Sequence, residues 1–103
     1  MLVVTTIEIT KGFQTWKDMV KASGEKMKEY GMTMVFAGPQ ADDETKLHAV
    51  IRFDSMEALK KFQADEELTQ RRIEAGVKVE TGTFTIVSDE SLLNYPTTIS
   101  QHE

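Results

Sequence analysis

The sequence predicts an α+β domain in the order strand, helix, strand, strand, helix, strand. Three observations carry this reading. Leu2–Thr10 and Lys46–Phe53 are rich in β-branched residues or alternate apolar with polar, the period of a strand with one buried face. The apolar residues of Phe13–Tyr30, and those that follow Asp54, recur at three- and four-residue spacings, the period of a helix packed on one side. Glycine or proline stands where one period gives way to the next, at Gly31, Gly38-Pro39 and Gly76.

Taken in order, Leu2–Thr10 (LVVTTIEIT) reads as the first strand, with Ile7 and Ile9 on one side and Thr6 and Glu8 on the other. Phe13–Tyr30 reads as one amphipathic helix. Phe13, Trp16, Val20, Met27 and Tyr30 form its apolar stripe, Lys17, Asp18, Lys21, Glu25 and Lys28 face away, and Gly31 stops it in a left-handed cap. Met32–Ala37 is a short apolar strand closed by Gly38-Pro39, and Gln40–Glu44 is a polar turn. In Lys46–Phe53 (KLHAVIRF), Leu47, Ala49, Ile51 and Phe53 alternate with Lys46, His48, Val50 and Arg52. Asp54 with Glu57 three residues on has the pattern of a capping box, and Met56, Leu59 and Phe62 give the following helix its stripe. Asp65–Ala75 is a second, shorter helix in which Glu67 can pair with Arg71 one turn later. Val77–Val87 is the last strand. Residues 1–88 thus form one domain, and 89–103 a polar tail that docks in part through Leu92, Leu93 and Tyr95 before fraying, with His102 exposed in it.

This order folds as a four-stranded antiparallel sheet with the helices on one face, the ferredoxin-like arrangement. The other face is left bare, and the tail is too short to cover it. A symmetric homodimer is the expected remedy.

Composition bounds the function. A chain of 103 residues can bury about 65% of its unfolded surface, enough for a core without disulfide or metal. Twelve basic against 17 acidic residues leave a net charge of −5, which disfavours nucleic acid and anionic membranes as partners. The absence of cysteine removes thiolate catalysis, disulfides and cysteine-based metal centres. The residues after Met1 lack a leader's basic start and apolar length, and no apolar run spans a bilayer, so a cytoplasmic protein is expected. No phosphate-binding glycine loop, zinc-protease motif or calcium loop occurs, so no cofactor or metal is expected. Asp42, Asp43 and Glu44 read as a solvated acidic turn.

The segment HAVIRFDSMEALKKFQADEEL carries a resemblance. A strand ending in Phe53, then Asp54-Ser55-x-Glu57-Ala58, Phe62 and a short acidic helix, resembles the dimeric α/β-barrel superfamily across Leu2–Val87. Its members include antibiotic-biosynthesis-type monooxygenases, muconolactone-isomerase-like proteins, haem-degrading monooxygenases and families of unknown function, of which the last is the nearest in character. The resemblance implies a dimer with a ligand held between sheet and helices. Haem-degrading members use an Asn, a Trp and a helix-borne His. Here the only Asn is Asn94 in the tail and neither His falls on a helix, so haem degradation is not expected. RNA-recognition domains share the topology but stack bases on third-strand aromatics, and the corresponding positions here are His48 and Val50.

Strand parity sends His48 and Arg52 to the bare face, together with Thr6 and Glu8 from the adjacent first strand. Converging there, they would form a polar ligand site, with His48 as acid or base and Arg52 as anion clamp. The alternative is an ion pair of Glu8 with Arg52 across a dimer interface. Trp16 is a candidate pocket wall or a core residue, and the six methionines read as gap filling. The function expected is binding of a small molecule between sheet and helices. Its alternatives are a cofactor-independent monooxygenase or isomerase acting on a small cyclic or aromatic substrate, and a non-catalytic interaction module.

Overall fold

The computed structural model describes residues 1–96; His102 lies outside them. The elements are β1 (Leu2–Ile9), α1 (Phe13–Ala22), α2 (Gly24–Glu29), β2 (Met32–Gln40), β3 (Asp43–Phe53), α3 (Met56–Ala64), α4 (Glu66–Glu74) and β4 (Val77–Val87). The strands form one antiparallel sheet in the order β2-β3-β1-β4. Among the described residues no helix is long and apolar enough to cross a membrane.

The alternation along β3 sets the core. Leu47, Ala49, Ile51 and Phe53 are buried, as parity requires, while His48, Val50 and Arg52 face the other way. Two apolar clusters sit under the helices. One joins Val3, Ile51 and Phe53 to Leu59, Phe62 and Leu68, the other joins Ile7, Ile9 and Leu47 to Trp16 and Val77.

Four local expectations are corrected. The helix expected over Phe13–Tyr30 breaks at Ser23, which leaves helical geometry with φ −102° and ψ 15°. Its hydroxyl turns back to donate to the Met19 carbonyl at 2.9 Å, and Gly24 follows, a Ser-Gly pair being a common break point. β2 runs on through Gly38 and Pro39 to Gln40. As an edge strand it tolerates a residue without an N–H, and the turn to β3 shortens to Ala41-Asp42. The cap of α3 is Ser55, not Asp54: its hydroxyl accepts from Ala58 N at 3.1 Å. Asp54 instead packs on Gly31, whose φ of 61° gives the left-handed stop expected of it and where a Cβ would collide with that carboxylate. Register shifts at Val35 in β2 and between Lys78 and Thr83 in β4 exchange the faces of those edge strands, and a third falls between Pro39 and Gln40 beside the turn to β3. In consequence Met32, Met34 and Ala37 pack against the core, as do Val79 and Phe84 on the other edge.

Of the tail, residues 88–96 carry no helix or strand. Asp89 pairs with the amino group of Met1 at 3.1 Å. Leu92, Leu93 and Tyr95 are 80%, 55% and 73% exposed, so this chain's own body does not cover them.

Helix α2 buries no residue, and it is held by a polar clamp. Asp65, the N-cap of α4, accepts from Leu68 N at 2.9 Å, from Lys26 Nζ at 2.8 Å and from the Tyr30 hydroxyl at 2.5 Å. Its side chain is almost fully covered. The bond from Lys26, then those from Tyr30 and Leu68 N, hold the Asp65 carboxyl well below the usual carboxylate range. The same contacts raise Lys26 and Tyr30 above their ordinary values. A carboxyl whose pKa is depressed on folding stabilises the protein above its ordinary value of 3.8, and that contribution is lost as pH falls below it. Urea denaturation should therefore show wild type losing stability progressively below that pH. Asp65→Asn should be less stable at neutrality, with a flatter acid limb; parallel profiles for the two proteins would contradict the clamp.

Candidate ligand-binding site

Between the two core clusters lies a cavity of about 70 Å³, roofed by the helices and floored by the sheet. Its floor comes from the inward parity of the strands, including Thr5, Ile7, Leu47 and Ala49. Trp16, only 7% exposed and stacked on Phe13 with ring centres 5.7 Å apart, lines it from α1. Phe62 and Phe84, themselves stacked at 6.4 Å, line it from α3 and β4. Four of the six methionines, Met19, Met27, Met32 and Met34, line it. The volume is about half that of the ~150 Å³ cavity that admits a benzene ring. Thioether side chains turn easily, so these walls can give way to a larger occupant.

Polar groups in the lining are few. The buried hydroxyl of Ser23 is already engaged, donating to Met19 O and accepting from Arg71 Nη1 at 3.2 Å. Arg71 also pairs with Glu67 at 3.0 Å, as the sequence spacing anticipates. The remaining polar liners are Thr5 and Arg72. Arg72 is half-buried, and its guanidinium carbon lies 5.5 Å from the centre of the Phe62 ring. Burial pushes its pKa down; among the described residues no hydrogen bond or ion pair reaches its guanidinium, whose nitrogens keep accessible surface. It is the one ionisable group of the lining among those residues.

Sequence reasoning missed Arg72, although a signal was present. Arg72 follows Leu68 by one turn on the apolar side of α4, and the Glu67–Arg71 pair accounts only for the neighbouring arginine.

The residues expected to converge do not all meet. Thr6 and His48 are cross-strand partners on the bare face, as expected. Glu8 lies opposite Lys46, and Arg52 opposite Leu2, six positions along the ladder, about 20 Å at ~3.3 Å per residue. The expected convergence of Glu8 with Arg52 on one chain is thus corrected by the register. Glu8 pairs instead with Lys78 at 3.5 Å. Trp16 is separated from all four by the thickness of the sheet. Thr6, Ile7, Glu8, Gln40, Lys46, His48 and Thr81 line a depression of about 360 Å³, open to solvent. His48 Nε2 lies 2.8 Å from Gln40 Oε1 there, and the Thr6 and Thr83 hydroxyls are 2.8 Å apart. The acidic turn is occupied locally: Asp42 accepts from Gln40 Nε2 and Asp43 from Thr45 N.

No protein-family model matches the chain, and no curated protein matches it in sequence. Solved structures do resemble it. A candidate antibiotic biosynthesis monooxygenase from Deinococcus radiodurans superposes with a TM-score of 0.60 at 14% identity, over 90% of this chain and 98% of that one. A second antibiotic biosynthesis monooxygenase gives 0.59 at 17% identity, over 85% and 97%. A candidate one from Nitrosomonas europaea gives 0.52 at 14%, over 94% of each. The chain therefore has the ferredoxin-like fold of these proteins; at such identities the likeness speaks for the fold alone.

Because Trp16 is the only tryptophan, its emission reports on the cavity. It should be blue-shifted relative to exposed indole and weakly quenched by acrylamide, and His48→Ala, on the opposite face, should leave both unchanged. Strong quenching in the wild type would mean that the roof does not close.

Proposed function

We propose that the chain binds a small, largely apolar molecule in the cavity between sheet and helices, with Trp16 as one wall. The observation that carries this reading is an apolar space between sheet and helices, lined by aromatic rings and pliable methionines from both core clusters. The depression beside His48 is larger and more open, and its lining side chains are mostly polar, unlike the mainly apolar lining of a small-molecule pocket.

A second reading is turnover, and the monooxygenase names of the similar structures favour it. A cofactor-independent monooxygenase acting on a small aromatic or cyclic substrate needs chiefly to position it away from water. An isomerase has less support, since proton abstraction calls for a base, and the described lining holds no carboxylate or imidazole.

The partner of the bare face in this reading is a second copy of the chain. Phe36, Val50 and Val4 lie side by side across β2, β3 and β1, and Phe36 is 57% exposed. A symmetric dimer would cover this row and give Leu92, Leu93 and Tyr95 a surface to dock on.

Sedimentation at micromolar concentration should give a dimer, and Val50→Asp should shift it to monomer, because burying an unpaired carboxylate costs several kcal/mol. A wild-type monomer would remove the interface. For the cavity, small aromatic and alicyclic compounds should raise the melting temperature and change Trp16 emission. Oxygen uptake on adding a bound compound would separate turnover from binding, and compounds that bind without uptake would leave the first reading alone.

A further inference from the structure

We infer that Arg72 selects the occupant of the cavity, and that this occupant is a compact ring system bearing one anionic oxygen group, a carboxylate, phenolate or enolate. The inference rests on the binding reading above and adds to it the chemical class of the ligand.

The argument starts on α4. Leu68 is buried, and Arg72, one helical turn later, lines the same cavity. An arginine in an apolar stripe has lost part of its hydration and needs compensation. The helix supplies none: the residues three and four positions away are Thr69, Leu68, Ala75 and Gly76, and the Thr69 hydroxyl donates to the Asp65 carbonyl. The nearby acid Glu67 is taken by Arg71 and Lys26. The Phe62 ring offers a face at 5.5 Å, which attracts the cation but accepts none of its five N–H donors.

The rest of the lining narrows the class. Thr5 is the other polar liner with no side-chain hydrogen bond among the described residues, and around these two groups the wall is Met, Phe, Trp and aliphatic side chains. Such a wall favours a ring-shaped apolar body with its charge at one end, where a guanidinium can engage an anionic oxygen through charge-assisted bonds. Long-range electrostatics do not create this preference. The chain carries a net charge of −5, so its overall field opposes anions and any preference for them must arise locally.

The test uses benzoate, salicylate and 2-naphthoate, each beside its methyl ester, titrated into the full-length protein and followed by Trp16 fluorescence and by melting temperature. The acids should bind about tenfold tighter than the esters or better, the scale of one charge-assisted hydrogen bond. That preference should vanish in Arg72→Met and survive in part in Arg72→Lys. Without ligand, Arg72→Met should melt at a higher temperature than wild type, since an apolar chain replaces a half-buried cation that has no hydrogen-bond partner among the described residues. Equal binding of acids and esters to the wild type would overturn the role of Arg72 while leaving the cavity reading standing. No binding of either would overturn both. A lower melting temperature in Arg72→Met with the acid preference intact would make Arg72 a structural partner of Phe62 and end the proposal.

Discussion

Along β3 every second side chain is committed to one face, and that commitment organises the molecule. With Leu47, Ala49, Ile51 and Phe53 inward, helices α1 to α4 must gather on that side to keep these residues from water. The flanking strands then have to present their own apolar residues there, which the edge strands achieve only by bulging. A slip of one residue would send His48, Val50 and Arg52 under the helices and strand the apolar set outside, so hydrophobic burial itself enforces the register.

The same arrangement explains why an open space survives inside so small a domain. Helix α1 buries only Trp16, and α2 buries nothing. The roof over the cavity is therefore pinned at its rim, by Lys26 and Tyr30 on Asp65 and by Arg71 on Ser23. Polar bonds at the edge thus help fix where the helices stand. The gap left beneath is walled by methionines, whose conformational freedom lets its volume follow an occupant.

Arg71 and Arg72 show how adjacent identical residues acquire different duties. Helical geometry separates them by about 100° around the axis. Arg71 reaches the carboxylate one turn back and the hydroxyl at the α1–α2 break, and contributes to holding the roof. Arg72, half-buried, lines the cavity instead, with its guanidinium beside the Phe62 ring. The fold shared with the solved monooxygenase-like structures supplies the frame. What distinguishes this chain is the side-chain set that it places within the frame.

Local pattern was enough to read the element order, the inward set of β3, the Gly31 stop and the Glu67–Arg71 pair, because each depends on periodicity or on a single turn of helix. Trp16 was legible as a member of the apolar stripe of its helix for the same reason. The edge strands were harder: their bulges depend on what the neighbouring strand and the core demand, and Val35 or Thr81 looks ordinary in isolation. Glu8 and Arg52 shared a face by parity, but their separation along the ladder is a matter of pairing register, which no single strand encodes. The cavity is more remote still, being the space that two clusters and a rim-pinned roof fail to fill. Residue order along one element set which way each side chain points. How far apart the elements stand was decided only by tertiary contacts such as Asp65 with Lys26 and Tyr30, because those bonds join residues that the sequence holds more than thirty positions apart.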